Sequence, residues 1–394
     1  INLRGMAPAG ARANRDRAGD GNLISGASLY GGKAAGVPGT VMGRETARKE
    51  YGKLSRAQDM APAIKLAREG YILTRADTDI LDTTVARFRQ DPAVAKIFLR
   101  PDGTPLQPGD RLRQTDLAKT LERISREGPS AFYKGTFPAA VAKASAKGGG
   151  VIDAADFSAY HITEMAPLTC TYRGYTFVSA PPPSSGGVTL CETLNILEGF
   201  DLKSMGFGSA AMVHTLAEAM RLSYADRNTY LGDPAFVHNP VDKLLDKKYA
   251  ATLRSHIQAD KATPSDQVKP GIVSGEKPET THYSIVDSEG NAVSTTYTIN
   301  GRFGAVVMAP GTGVLMNDEM DDFTTKVGAK NLYGLVQGTA NSIAPGKRSF
   351  SSKTPTIATK VGKSFLDPGP PGASRAITTT LETAGNSIDF GWDP

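Results

Sequence analysis

The sequence predicts a mixed fold, α+β or a layered α/β/α body. Three observations lead there. Helical periodicity dominates residues 41–147, the hydrophobic period shortens towards two from Leu168, and residues 280–394 are richer in strands. Helices come first and strands last, without strict βαβ alternation. The chain has 394 residues, 40% hydrophobic and 22% charged, so it can bury a sizeable core in one large or two modest domains.

Ile1 to Pro8 reads as short and extended, with Arg4 in its middle. Residues 9–39 are rich in Gly, Ala and Arg and read as a surface excursion, closed by the turn Gly36-Val37-Pro38-Gly39 with Thr40 as a helix N-cap. Helices are expected over 41–51, 59–69, 77–88, 114–127 and 137–147; Gly70, Gly128 and Gly148-Gly149-Gly150 stop the second, fourth and fifth. Thr169 to Arg173 and Tyr175 to Ser179 form a hairpin about Gly174, halted by Pro181-Pro182-Pro183-Ser184-Ser185-Gly186-Gly187. Two long helices follow, over 188–198 and 210–230, and Gly232-Asp233-Pro234 breaks the second. Residues 256–279 read as a polar surface loop. Strands are expected over 280–287, 291–299, 302–308, 313–316 and 355–360, and a last helix over 374–388.

Composition excludes several classes. The net charge of +5 is small for this length, and Arg12, Arg15 and Arg17 are interrupted by Asp16 and Asp20, so there is no basic stripe for nucleic acid. The five histidines are scattered without metal-ligand spacing, which argues against a metal site, and nothing calls for a cofactor. Cys170 and Cys191 are expected as two buried thiols, with one disulfide as the alternative. No run of about 20 apolar residues could span a membrane. The chain opens at Ile1 as if inside a strand and stops at Pro394 after a helix-like stretch, so it reads as an internal piece of a longer protein.

One stretch has chemistry of its own. Thr280 to Asp287 and Asn291 to Thr298 flank Ser288-Glu289-Gly290, which reads as a three-residue hairpin loop with Gly290 left-handed. Such a loop pairs Asp287 with Asn291, and counting outward one residue at a time sets Thr280 opposite Thr298. Two hydroxyls then face each other where an exposed loop enters a strand. That suits a nucleophile and a helper, although Thr–Thr cross-strand pairs are common as sheet stabilisers.

Thr280-Thr281-His282-Tyr283-Ser284 resembles the start of the small subunit of γ-glutamyltransferases (γ-glutamyltranspeptidases), members of the N-terminal-nucleophile hydrolase superfamily. The resemblance continues in order through Arg4 with Ala7-Pro8, Pro181 to Gly187, Tyr224 to Arg227 with Leu231 to Pro234, Asn317 to Phe323, Tyr333 to Val336, Ser351-Ser352 and Pro371 to Arg375. Nearly the whole chain is covered.

The resemblance implies a four-layer αββα sandwich, a large-subunit portion over 1–279 and a small-subunit portion over 280–394, together one domain and a heterodimer cut from one precursor. The Thr280 hydroxyl attacks the Glu279 carbonyl, an N→O acyl shift gives an ester, and water opens it. Thr280 then carries a free α-amine, ordinary pKa about 8, which serves as base for its own hydroxyl. Thr298 orients that hydroxyl. Arg4 clamps the α-carboxylate of a γ-glutamyl group, with Ser351 and Ser352 as added donors. Asn300, Glu319 and Asp322 receive its ammonium, although an acidic run such as 318–322, taken alone, reads as solvated loop charge. The amides of Gly372 and Ala373 form the oxyanion hole, and Tyr333 belongs to a substrate lid. Substrates are glutathione and related γ-glutamyl compounds, acceptors are water, amino acids or peptides, and the compartment is periplasmic or secreted.

Four departures bear on these expectations. Gly5 stands where the family has Glu or a similar residue, so support for Arg4 is expected to be weaker. Ala373 replaces the second glycine of a usual Gly-Gly pair. Asp367-Pro368-Gly369-Pro370 is Pro-rich and expected to distort its strand. The family's Gly-rich leading segment and closing strands have no counterpart here, which would leave sheet edges unpaired. The competing readings are a cephalosporin (glutaryl) acylase of the same superfamily and a non-catalytic remnant of the scaffold.

Overall fold

Side-chain caps set where the early helices begin. Ser55 closes a capping box with Gln58 ahead of Arg56–Glu69, and Thr74 does so with Asp77 ahead of Arg75–Asp82. Asp91 accepts from the N–H groups of Ala93 and Val94 at the head of Pro92–Phe98. Thr40, expected as a cap, is instead the first residue of Thr40–Tyr51, with Gly39 before it. Gly70 and Gly128 end their helices at φ of 74° and 73°, a backbone region that glycine enters without steric cost. The single helix expected over 77–88 is two, Arg75–Asp82 and Val85–Phe88.

The computed structural model describes residues 1–264, 268, 280–329, 331–332, 336–372 and 374–393. They form two compact units. The first is Ile1–Glu164, Ile299–Asp321 and Ala344–Gly346, and the second is Met165–Thr298, Asp322–Ile343 and Lys347–Pro394. The division does not fall at Thr280: each unit draws on residues from both sides of it.

The first unit is mainly helical. Two-residue strands β1 (Tyr71–Ile72) and β2 (Arg111–Leu112) pair antiparallel. One core gathers Phe132, Phe137, Phe157, Tyr133 and Tyr160, and takes in Ala309 and Met316. A second stacks Phe88 on Phe98, with Phe303 edge-on to Phe88 at 4.9 Å, and includes Val306 and Met308. The strands expected over 302–308 and 313–316 do not form; only a single bridge joins Met308 and Leu315. Gly304 and Val306 have φ of 55° and 52°, which turns the chain twice within the first of these stretches. The side chains still reach the core, and Ala305 N–H and Met316 N–H bond to Met316 O and Val307 O.

In the second unit, β3 (Leu168–Tyr172) and β4 (Tyr175–Ser179) are joined by Arg173 and Gly174, at φ of 46° and 83°, the left-handed pair that a two-residue hairpin demands. A separate hairpin is made by β5 (Thr281–Val286) and β6 (Ala292–Tyr297). β7 (Thr356–Lys360) and β8 (Lys363–Leu366) complete an antiparallel sheet in the order β3-β4-β7-β8. The helix Gly186–Leu197 is buried along its whole length, with Ala210–Tyr230, Lys247–Arg254 and Ser374–Asp389 packed about it. β8 ends before the Pro-rich stretch that follows Leu366, and its pairing with β7 shifts register at its end, Ala358 facing Leu366 and Thr359 facing Ser364. Among the described residues no helix is long and apolar enough to cross a membrane.

Cys170 and Cys191 form a disulfide that ties β3 to the buried helix. This corrects the expectation of two thiols: the strand places Cys170 against the core beside the helix that carries Cys191, a proximity that a spacing of 21 residues does not reveal. Closing that loop stabilises the folded chain by about 3 kcal/mol. Replacing both cysteines by alanine should therefore lower the thermal midpoint, measured by calorimetry, and reducing agent should lower it for the parent chain but not for the variant.

Candidate active site

The hairpin β5–β6 has the register that its loop predicts. Thr281 lies across from Tyr297 and Val286 across from Ala292, Asp287 N–H bonds to Asn291 O, and Gly290 is left-handed at φ 84°. Asp287 accepts the N–H groups of Glu289 and Asn291 at 2.9 Å, which stiffens the loop. Carried one residue further, this register sets Thr280 opposite Thr298, and both residues are half-buried.

Alternation gives the two faces of the hairpin different tasks. Ile285 and Val293 sit on one face and are largely exposed. The other carries His282, Ser284, Ser294 and Thr296, and period-two alternation extends it to Thr280 and Thr298. Its ring and hydroxyls lie against residues 356–369. The two His282 ring nitrogens lie 2.7 Å from Thr296 Oγ1 and 3.0 Å from Ser284 Oγ. Ser284 donates to Asp367 O at 2.6 Å, and Thr356 N–H donates to Ser294 Oγ at 3.1 Å. Gly369 lies flat against the His282 ring; a Cβ there would fall 1.8 Å from Cε1, so only glycine fits. Burial pushes the His282 pKa below its ordinary value, and it pushes the Asp367 carboxyl up, opposed by the Ser294 and Ser284 hydroxyls.

Beyond Gly369 the chain reaches Gly372, buried and at φ 116°, immediately before the helix Ser374–Asp389. Arg375 N–H bonds back to Gly372 O at 2.9 Å. The amide end of a sixteen-residue helix favours negative charge. Ala373, Glu279 and Tyr333 lie outside the described residues.

In the first unit the polar expectations converge on Arg4 and Glu319. Arg4 Nη2 donates to Glu319 Oε2 at 3.5 Å, and both side chains are about 7% exposed. Gly5 brings no side chain, yet the Arg4 backbone is held: Tyr160 Oη donates to Arg4 O at 2.9 Å, and Arg4 N–H donates to Asn2 Oδ1 at 3.2 Å. Asn317 fixes the opposite side. Its amide bonds both backbone groups of Gly36 at 2.9 Å, and its Oδ1 accepts Glu319 N–H at 3.0 Å. Asn300 is left-handed at φ 74°, a region asparagine tolerates, and its Nδ2 donates to Asp318. Asp318 also accepts Gly301 N–H at 2.7 Å, which makes it a brace for the Asn300 turn.

The acidic run is not solvated loop charge. Asp318, Glu319, Asp321 and Asp322 are all buried, and Glu319–Asp322 is one 3-10 turn, in which side chains at i and i+3 align. The Asp321 carboxylate accepts from Ser28 Oγ and that of Glu319 from Arg4. Asp322 belongs to the second unit, where its carbonyl accepts from Asn341 Nδ2 at 2.6 Å.

Ser351 and Ser352 are also buried in the second unit. Ser185 holds Ser351 O with both its N–H and its hydroxyl at 2.7 Å, and Ser184 Oγ lies 3.3 Å from Ser351 Oγ. Arg227 Nη2 donates to Ser352 Oγ at 2.6 Å. Ser184, Ser185 and Arg227 lie in stretches that carry the family resemblance, but no spacing in the sequence connects them with positions 351 and 352.

A neutral His282 braces the hairpin, which fixes the pH dependence. Its folded-state pKa lies below the ordinary value, so its contribution is complete above about pH 6.5 and is lost as pH falls through the folded value. His282→Gln, which keeps hydrogen-bonding capacity without titrating, should lose less thermal stability between pH 7 and pH 5 than the parent chain.

The family described as Gamma-glutamyltranspeptidase matches residues 1–394. The chain is 54% identical over 391 residues to the glutathione hydrolase proenzyme of Pseudomonas sp. (strain A14), covering 99% of this chain and 68% of that protein. Among solved structures it is similar to the Helicobacter pylori gamma-glutamyltranspeptidase, with a TM-score of 0.67 and 41% identity, covering 68% of this chain and 77% of that one. It is also similar to the cephalosporin acylase from Bacillus halodurans, with a TM-score of 0.82 and 25% identity, covering 99% and 69%. A match along the whole sequence, with the hairpin and its polar face as described, makes this chain a member of the γ-glutamyltranspeptidase family.

Proposed function

We propose that the protein is a γ-glutamyltransferase and glutathione hydrolase, made as a precursor. The Thr280 hydroxyl attacks the Glu279 carbonyl, the acyl group moves from nitrogen to oxygen, and water opens the ester. Glu279 is left with a carboxylate and Thr280 with a free amine. In turnover that amine takes the Thr280 hydroxyl proton as the oxygen attacks the γ-glutamyl carbonyl. The leaving amine departs with a proton, and water or an amino acid or peptide then attacks the γ-glutamyl-Thr280 ester. Thr298 orients the nucleophile, and the amides of Gly372 and Ala373 stabilise the oxyanion.

What supports this reading most is the hairpin register, Thr281 across from Tyr297, in a chain whose family match spans residues 1–394. The buried Arg4–Glu319 pair adds to it. A γ-glutamyl group is a zwitterion at its α-carbon, and a paired guanidinium and carboxylate offer each of its charges an opposite partner. In this reading Arg4, Ser351 and Ser352 bind the carboxylate, while Asn300, Glu319 and Asp322 bind the ammonium. Tyr333 belongs to a lid over the substrate.

Several further readings belong to the same proposal. The portions 1–279 and 280–394 become the large and small subunits of a heterodimer, within an αββα sandwich. The compartment is periplasmic or secreted, and the Cys170–Cys191 disulfide supports an oxidising one. A glutaryl acylase is the competing activity, and the likeness to the Bacillus halodurans acylase structure keeps it in view. Glutaryl lacks the α-ammonium, so buried carboxylates at Glu319 and Asp322 favour the glutamyl substrate.

Steady-state kinetics on the mature enzyme separate the two. Glu319→Ala with Asp322→Ala should raise KM for glutathione by about tenfold or more, on the scale of one lost charge-assisted hydrogen bond, and leave the KM for glutaryl amides nearly unchanged. Equal losses on both substrates would refute the glutamyl assignment.

A further inference from the structure

Among the described residues Arg227 is the largest side chain that is fully buried, at 1% exposure, and the chemistry proposed above gives it no task. It lies in the helix Ala210–Tyr230. Its guanidinium lies over the Phe350 ring, 4.6 Å from the centroid, and donates in three directions: Nε to Ser185 Oγ at 2.9 Å, Nη1 to Asn228 Oδ1 at 2.6 Å and Nη2 to Ser352 Oγ at 2.6 Å. A buried guanidinium is costly, and it is retained only where its geometry is well satisfied.

The direction of the last bond matters. A serine hydroxyl has one hydrogen and two acceptor lone pairs, and arginine can only donate. Arg227 therefore fixes Ser352 Oγ as an acceptor on its own side and leaves the Ser352 hydrogen to be donated elsewhere. The hydroxyl is polarised by the cation behind it, which strengthens its outgoing hydrogen bond. The rest of the loop is held at the same place. Ser185, which receives Arg227 Nε, grips Ser351 O, and Thr354 Oγ1 donates to Ser352 O at 2.8 Å. Gly186 has no room for a side chain, since a Cβ would come within 2.3 Å of Lys353 O.

We propose that Arg227 is a positioning residue for substrate selection: held beneath Ser352, it turns that hydroxyl into an oriented, polarised donor for the α-carboxylate of the γ-glutamyl group. It touches no substrate. The inference rests on the reading of Ser352 as a carboxylate donor, and the experiment separates the two.

Two chromogenic substrates serve, γ-glutamyl-p-nitroanilide and γ-aminobutyryl-p-nitroanilide, which keeps the ammonium and lacks the carboxylate. Arg227→Lys in the mature enzyme should lower kcat/KM for the first by about 10- to 100-fold, mainly through KM, and change the second by less than about threefold. Ser352→Ala should show the same bias, and adding Arg227→Lys to it should produce little further loss. A parallel fall on both substrates, or no fall on either, overturns the role of Arg227. If Ser352→Ala shows no bias, the carboxylate reading of Ser352 fails and the inference falls with it. A biased Ser352→Ala beside an unbiased Arg227→Lys refutes the inference and spares that reading. If Arg227→Lys does not fold, Ser185→Ala removes one anchor of the guanidinium and keeps its charge. It should show the same bias at about threefold, and its absence overturns the proposal.

Discussion

The register of one hairpin governs the rest. Gly290 takes a left-handed conformation, the three-residue loop pairs Asp287 with Asn291, and every later pair follows. A slip of one residue would exchange the two faces. Ile285 and Val293 would then meet Asp367 and Thr356, and His282, Ser284 and Ser294 would turn to solvent. The polar face that lies against residues 356–369 is also the face on which alternation places Thr280 and Thr298. The same bonds that seat the hairpin thus align the proposed nucleophile with the segment that runs on to Gly372. Gly369 is a steric condition of this seating, because the His282 ring occupies the space of its missing side chain.

A second theme is that neutral amides and hydroxyls brace buried charged residues, beside the ion pair of Arg4 with Glu319. Asn317 ties Gly36 to Glu319, Asp318 braces the turn at Asn300, and the serines at 185 and 352 receive Arg227. Glu192 is an exception in kind. It sits in the buried helix Gly186–Leu197, and burial, followed by the neighbouring Asp226 carboxyl, pushes its pKa well above the usual carboxylate range. Tyr249 Oη donates to that Asp226 carboxyl at 2.7 Å.

Much of this was legible in the sequence wherever local chemistry decides. Glycine stops and turn residues marked helix ends and both hairpins; the bounds of Ala210–Tyr230 and of β4 agree with the expectation to the residue. Legibility failed where tertiary contacts decide. β-branched residues over 302–308 suggested a strand, but left-handed turns at Gly304 and Val306 spend those side chains on a core shared with Phe88 and Phe98. The acidic run 318–322 looked solvated because its partners Arg4 and Ser28 lie some 300 residues away in the chain. Separation in the chain, 21 residues for the disulfide and 125 for the hold of Arg227 on Ser352, hid these contacts too. For the proposed catalytic positions, the register was readable from turn chemistry, whereas the assignment of chemical roles came from the family resemblance.

The central claim is that Thr280 becomes an N-terminus and then carries the substrate's acyl group. Mass spectrometry of the full-length protein, acid-quenched during turnover of a γ-glutamyl amide, tests both halves in one spectrum. The account predicts a fragment whose sequence begins Thr-Thr-His-Tyr-Ser, part of it heavier by one γ-glutamyl group held as an ester on Thr280. A single uncleaved chain, or the acyl group on any other residue, would contradict it.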